Sequence, residues 1–356
     1  MILRRLLRSP AIALVALLAD LFLGHLPPSV DPTRPSFAAA VAAQDDATAL
    51  WLDLPGVVGT AIGLDGRGGY TVNVYVTAAG VARFPAQLAD VPLQLVVSGP
   101  LVGWGDPPAG SDNGRAASAA DPVDPRAPFP RPVPIGVSTG HPGVTAGTIG
   151  ARVTDGRAVY ALSNNHVYAN NNGASRGDPL LQPGTADGGR APDHVLGTLH
   201  DFEPIAFCRA FTCPANRIDA ALALTTPDDL GHATPDDGYG SPRASAAAAE
   251  LGMKVQKYGR TTGHTHGQVT GLRATLDISY RGGTARFTDQ IVITGTGSGF
   301  SAGGDSGSLI VTDGLLLGDR RPVGLLFAGR RTTTIANPIG LVLDRFGVTL
   351  DGGGAP

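Results

Sequence analysis

Eight prolines crowd into the stretch Trp104–Pro134: Pro107, Pro108, Pro122, Pro125, Pro128, Pro130, Pro132 and Pro134. Each fixes φ and removes a backbone donor, so the stretch cannot supply a helix interior or a central strand. With Gly, Ala, Ser and Asp between the prolines, it reads as an extended linker without a packed core. It divides the chain into a short amino-terminal part and a long carboxy-terminal part. At 356 residues there is length for both. Hydrophobic residues make up 42% and charged ones 16%, enough to bury a core, while 50 glycines favour many short strands and turns over long helices.

The amino-terminal part opens with Arg4, Arg5 and Arg8 ahead of an apolar run, Ala11–Gly24, that contains Asp20. The run is too short and too interrupted to span a bilayer comfortably. Positive charge before a short apolar segment is the pattern of a secretory signal or anchor over residues 1–43. Ala38–Ala43 supplies the small residues a signal peptidase accepts, with a cut expected after Ala43. The expectation is export to the cell envelope or medium, with transient membrane contact through this segment. Residues 44–103 read as a small α+β module. Helices are expected over Asp45–Leu52 and Ala78–Leu88, and strands over Val57–Leu64, Tyr70–Val76 and Val91–Val97. Asp53 and Asp65 suit turn and cap positions. The module carries no catalytic constellation, and its place ahead of an exposed linker suits a pro-segment or an accessory domain.

From Ile135 onward one strand-like run follows another. Gly147–Val153 and Arg157–Ser163 flank Asp155-Gly156, a hairpin signal. Further strands are expected at Val195–His200, Ile218–Leu224, Lys254–Tyr258, Gln268–Leu276, Ala285–Thr288, Gln290–Thr294, Leu309–Val311 and Val323–Phe327. Pro227–Glu250 reads as a polar, Ala-rich crossover between two sets of strands. Asn337–Phe346 has helical spacing, with Ile339, Val342, Leu343 and Phe346 on one face. The fold class is therefore mainly β, with a carboxy-terminal helix.

Three strand-end motifs carry chemistry. Ser163-Asn164-Asn165-His166 ends one strand, Arg217-Ile218-Asp219 begins another, and Gly303-Gly304-Asp305-Ser306-Gly307-Ser308 lies between two apolar runs. Singly each has a bland reading: a surface histidine, a turn aspartate, a Gly/Ser turn. Together they give the order His, Asp, Ser, spaced by roughly 50 and roughly 90 residues, as suits a site assembled across the fold. A serine hydroxyl is a poor nucleophile until a base takes its proton. His166 can take it and later return it to the leaving amine. Asp219 can hold the imidazole in the required tautomer. The N–H groups of Gly304 and Ser306 can form an oxyanion hole.

With these motifs, the stretch from about Ile135 to Leu350 resembles the trypsin/chymotrypsin-like serine peptidases, in a bacterial branch with Gly-Asp-Ser-Gly-Ser. Leu162–Val167 is similar to the family's histidine motif, Ile218–Leu222 to its Asp-Ile-Ala-Leu motif, Gly304–Ser308 to its nucleophile motif, and Val323–Gly329 to its substrate-lining strand. The resemblance implies a trypsin-like double β-barrel with the active site in the cleft, and a polypeptide substrate cleaved through an acyl-enzyme. It places Phe300 at the base of the primary pocket and Phe327 and Gly329 along it. Phe300 is no acid, which argues against a preference for Arg or Lys. Phe327 stands where the family usually carries a serine that supports the aspartate. The family's Ile-Val-Gly-Gly start is absent.

The remaining candidates weigh less. Cys208 and Cys213 are the only cysteines. They suit a disulfide in an exported protein or two reduced buried thiols. A zinc site would need two more ligands, with His200 alone nearby, so no metal is expected. His264 and His266 share a strand face in Gly259–Gly267, but no Asp, Glu or Cys at obvious spacing completes a site, and a Gly/Thr-rich turn fits better. Net charge is -3 with no long basic run, which argues against nucleic acid as a partner. No cofactor is expected. The alternative to a serine endopeptidase is a silent binding or adhesion module on the same scaffold.

Overall fold

Near-continuous runs such as Val57-Val58-Gly59-Thr60-Ala61-Ile62 can be buried on both faces only inside a sheet covered on both sides. In the computed structural model this run is such a strand, with α1 (Phe37–Trp51) on one face. The structure describes residues 34–103, 123–210, 212–297, 299–314, 319–330 and 332–352. The signal-like segment before Arg34 and the first part of the proline-rich linker lie outside them. Among the described residues no helix is long and apolar enough to cross a membrane.

The amino-terminal segment contributes β1 (Val57–Leu64), β2 (Tyr70–Val76), β3 (Gln87–Leu88), β4 (Val91–Val97) and β5 (Leu101–Gly103). Next come β6 (Ser138–Thr139), β7 (Gly147–Thr148), β8 (Ala151–Thr154), β9 (Val159–Ser163), a helical turn α2 (Asn165–Tyr168) and β10 (Pro179–Leu181). They are followed by β11 (Val195–Phe202), β12 (Ala215–Asn216) and β13 (Ala221–Thr225). The last third holds β14 (Lys254–Gly259), β15 (Gly263–Tyr280), β16 (Gly283–Gly295), β17 (Leu309–Thr312), β18 (Pro322–Arg330), β19 (Thr333–Pro338), α3 (Ile339–Phe346) and β20 (Thr349–Leu350).

The described strands form two principal sheets. One has six strands in the order β10-β11-β13-β9-β8-β20. The other has twelve and is built on β14 to β19 and the long β15–β16 hairpin. The architecture is mainly β with a carboxy-terminal helix, as expected from sequence. Helix α3 buries Ile339 and Val342 and is stopped by Gly347 at φ 63°, in the left-handed region glycine tolerates. Strand β20 then returns the chain to the six-stranded sheet beside β8.

Residues 44–103 are not a free-standing module. Strand β1 pairs antiparallel with β15, and β5 inserts between β15 and β18. The twelve-stranded sheet thus runs through both parts of the chain. Helix α1 also starts earlier than expected, because the alanines of Ala38–Ala43 are strong helix formers. Ser36 caps it by accepting the Ala39 N–H. Ala40, Ala43, Gln44 and Ala47 are buried, so the cut expected after Ala43 falls inside the helix. The helix expected at Ala78–Leu88 is absent: Gly80 has φ 80° and Pro85 lacks a donor, and the segment runs irregularly into β3. Asp65 holds its turn as expected, accepting the N–H groups of Arg67 and Gly69. Asp53 instead pairs with Arg286.

The carboxy-terminal end of the linker also packs. Val133 is buried and bridges Leu230, and Phe129 donates its N–H to Gln182. Four expected strands between Lys254 and Thr294 merge into three. Residues 268–276 and the two runs after them belong to a single hairpin, whose register shifts absorb Arg273 and Asp289 at φ 51° and 60°.

Candidate active site

The end of β9 delivers Ser163 and Asn164 into α2, which carries His166. Asn164 donates from Nδ2 to the Asp219 carbonyl, tying this corner to the segment that leads into β13. The Asp219 N–H in turn donates to Asn337 Oδ1, and Asn337 Nδ2 donates to Gln290 Oε1. Asn337 lies on β19 and Gln290 on β16, so Asp219 is held from both sheets.

His166 and Asp219 meet side chain to side chain. His166 Nδ1 lies 2.5 Å from Asp219 Oδ2, and the His166 N–H donates to Oδ1 at 3.2 Å. Both residues are at most 1% exposed. A buried carboxylate needs donors. That requirement puts the imidazole proton on Nδ1 and leaves the Nε2 lone pair free to accept one. Among the described residues Nε2 has no hydrogen-bond partner. Ser306 is also buried, and its hydroxyl donates to the Phe327 carbonyl oxygen at 3.4 Å.

Asp305 fixes the turn that carries Ser306. Its carboxylate accepts the N–H groups of Thr261, Thr262 and Ala302 and the Thr262 hydroxyl. Lys257 Nζ stands 3.7 Å away and donates to Thr262 Oγ1 and the Gly263 carbonyl. Lys257 and Asp305 are both fully buried. Burial pushes the Lys257 ammonium below its usual range, and the Asp305 charge opposes that shift. Within the turn Asp305 N–H donates to Ala302 and Ser308 N–H to Asp305, and Gly307 N–H donates out to Leu326 of β18; these bonds do not employ the Gly304 or Ser306 N–H. Gly304 and Gly307 sit at φ 96° and 94°; a Cβ at 307 would lie 2.2 Å from Ser163 Oγ. The turn that carries Ser306 therefore packs directly on the end of β9.

The sequence-based site thus divides. His166 and Asp219 pair side chain to side chain, and the turn with Gly304 and Ser306 packs on the end of β9 that leads to His166, while Ser306 Oγ is bonded to the Phe327 carbonyl and not to His166. Phe300 and Phe327 do not line an open pocket. Phe300 is in the core near Val255 and Ile293 with Lys257 Nζ 5.9 Å from its ring centroid, and Phe327 packs on Phe287 at 4.8 Å. Phe327 on β18 and Phe300 in the β16–β17 connection are both fully buried, their large apolar rings filling the core. Gly329 lies on β18, opposite Val102 of β5. Cys208 and Cys213 are joined in a disulfide. His264 bonds Gln256 and His266 bonds Asp313, and among the described residues no group of three metal-ligating side chains forms. Two participants were missed. The Gly/Thr-rich turn at Thr261-Thr262 cradles Asp305, and Tyr280 donates its hydroxyl to Asp219 Oδ2 at 2.9 Å.

Known proteins give partial likenesses. A family model described as the Nal1 C-terminal domain matches residues 243–337. Protein NARROW LEAF 1 of Oryza sativa subsp. japonica is 31% identical over 206 residues, which is 52% of this chain. The chain spans 34% of that relative's length. Among solved structures, Thermobifida fusca Protease A matches at 19% identity and a TM-score of 0.44, covering 62% of this chain and 100% of that one. Cellulomonas bogoriensis chymotrypsin matches at 21% identity and a TM-score of 0.40, covering 61% and 97%.

Replacing Asp305 by Asn leaves Lys257 buried without its counter-charge, and uncompensated buried charges cost about 3–5 kcal/mol. Urea unfolding of Asp305→Asn should show a loss of that size. A loss below about 1 kcal/mol, the scale of an exposed pair, would contradict the anchoring role.

Proposed function

We propose that the protein is an exported serine endopeptidase. The observation that carries this reading is the buried His166–Asp219 pair, with Nε2 unpartnered among the described residues, beside the end of β9 on which the Ser306 turn packs. Ser306 Oγ attacks the peptide carbonyl carbon while His166 Nε2 takes the hydroxyl proton. Asp219 stabilises the imidazolium that forms. The Gly304 and Ser306 N–H groups receive the oxyanion, each worth roughly 3 kcal/mol in the transition state. The proton passes from Nε2 to the leaving amine and the C–N bond breaks. Water, deprotonated by the same nitrogen, then releases the acyl group and restores Ser306. The serine peptidases among the structural matches, the Cys208–Cys213 disulfide and the signal-like start agree with this reading without carrying it.

The amino-terminal segment restrains this site. Strand β17 pairs with β18 only as far as Leu325, and beyond it β5 pairs antiparallel with β18, Gly103 against Ala328 and Val102 against Gly329. An extended peptide adding a strand beside Ser306 needs the same edge, so β5 and substrate compete for it. The tether gives β5 a high effective concentration there.

Two outcomes test these statements. The purified protein should hydrolyse members of a broad peptide library, and Ser306→Ala should lower the rate by roughly 10⁶-fold. Hydrolysis equal in both forms, or absent from a folded preparation, would leave a non-catalytic module. Proline at 102 has no N–H to give either neighbouring strand. Val102→Pro should therefore raise the initial rate severalfold, and a rate abolished in a folded Val102→Pro protein would show that β5 builds the site instead of restraining it.

A further inference from the structure

Strand β15 ends at Tyr280, the residue before the tip of the long hairpin, and its ring reaches into the site from there. The ring centroid lies 5.8 Å from that of His166, 6.0 Å from that of Phe207 and 6.1 Å from that of Phe287. The hydroxyl donates to Asp219 Oδ2, the same oxygen that faces His166 Nδ1. We propose that Tyr280 is a positioning residue that holds the Asp219 carboxylate in the orientation His166 requires, taking the supporting role that Phe327 cannot fill. The inference rests on the peptidase reading for its kinetic consequence but not for its geometry.

The geometry argues for it in three steps. Asp219 Oδ1 is engaged by the His166 backbone and Oδ2 by the imidazole. Two donors from a single residue fix the carboxylate only relative to that residue. Tyr280 supplies a donor from the other sheet, so the carboxylate plane is set against an independent frame. Second, Phe327 faces the core and offers this carboxylate no hydroxyl. Third, the hairpin tip is itself pinned. The Cys208 N–H donates to the Thr284 carbonyl, and Asn216 bonds both the N–H and the carbonyl of Ala206, so the disulfide loop presses Phe207 against the Tyr280 ring. Strand β5 closes the other side: a Cβ at Gly103 would lie 2.3 Å from the ring. Burial and the Asp219 charge push the Tyr280 hydroxyl well above its usual range, so it remains a donor throughout the working pH range.

The test combines a spectroscopic readout with a mutant cycle. In proton NMR of the full-length protein, the low-field resonance of the His166 Nδ1–H should move in Tyr280→Phe, which removes one oxygen and keeps the ring. Phe207→Ala, which keeps the hydroxyl but frees the ring, should move it in the same direction by less. Tyr280→Phe should lower kcat about tenfold to a hundredfold, as expected for a hydrogen bond to a charged group, and leave KM within twofold. In an Asp219→Asn background the same change should cost less than twofold, because residues acting as one unit are not additive. An unmoved resonance, or an equal loss of kcat in both backgrounds, would overturn the proposal and reduce Tyr280 to a packing residue. If no peptide is hydrolysed yet the resonance moves, the positioning role stands and the peptidase reading fails.

Discussion

A carboxylate with no exposure must be satisfied by the protein, and Asp219 is satisfied from several directions at once. His166 donates twice from α2, Tyr280 donates from the tip of the β15–β16 hairpin, and Asn337 accepts the Asp219 N–H from β19. The two sheets share this small network. The carboxylate's donors come from two separate elements, α2 and the hairpin tip, so an error in either would leave a buried charge short of a partner. The cost of that shortfall makes the junction specific as well as stable.

Asp305 repeats the arrangement one layer away. Its cradle of backbone N–H groups and the Lys257 ammonium hold the turn that carries Ser306. The cation comes from β14, inside the fold. The turn that carries Ser306 is therefore held from within the sheet it adjoins. Strand β5 occupies the edge of β18 next to that turn, and the sheet that positions the hairpin continues through β1, β2 and β4 into the amino-terminal segment.

The sequence made some of this legible and hid the rest for physical reasons. His166, Asp219 and Ser306 stand at strand ends beside residues with strong local signals, and the Asp155-Gly156 hairpin and the α3 face were equally plain. Tyr280 left no trace, because it acts on a residue 61 positions away through the tip of a hairpin whose length its bulges concealed. Thr261 and Thr262 work mainly through backbone N–H groups, which side-chain identity does not advertise. The sharing of one sheet by both parts of the chain was also hidden, since strand pairing across a linker depends on edges and not on composition. Ala78–Leu88 misled because its Ala and Leu content outweighed Gly80 and Pro85.

The account turns on whether His166, held by Asp219, makes Ser306 reactive. The most direct measurement is labelling of the folded protein with a fluorophosphonate, followed by mass mapping of the adduct in the unaltered chain and in His166→Ala. The account predicts one adduct, on the peptide that contains Ser306, and its loss when the imidazole is removed. Equal labelling of the two proteins, or an adduct on any other residue, would contradict it.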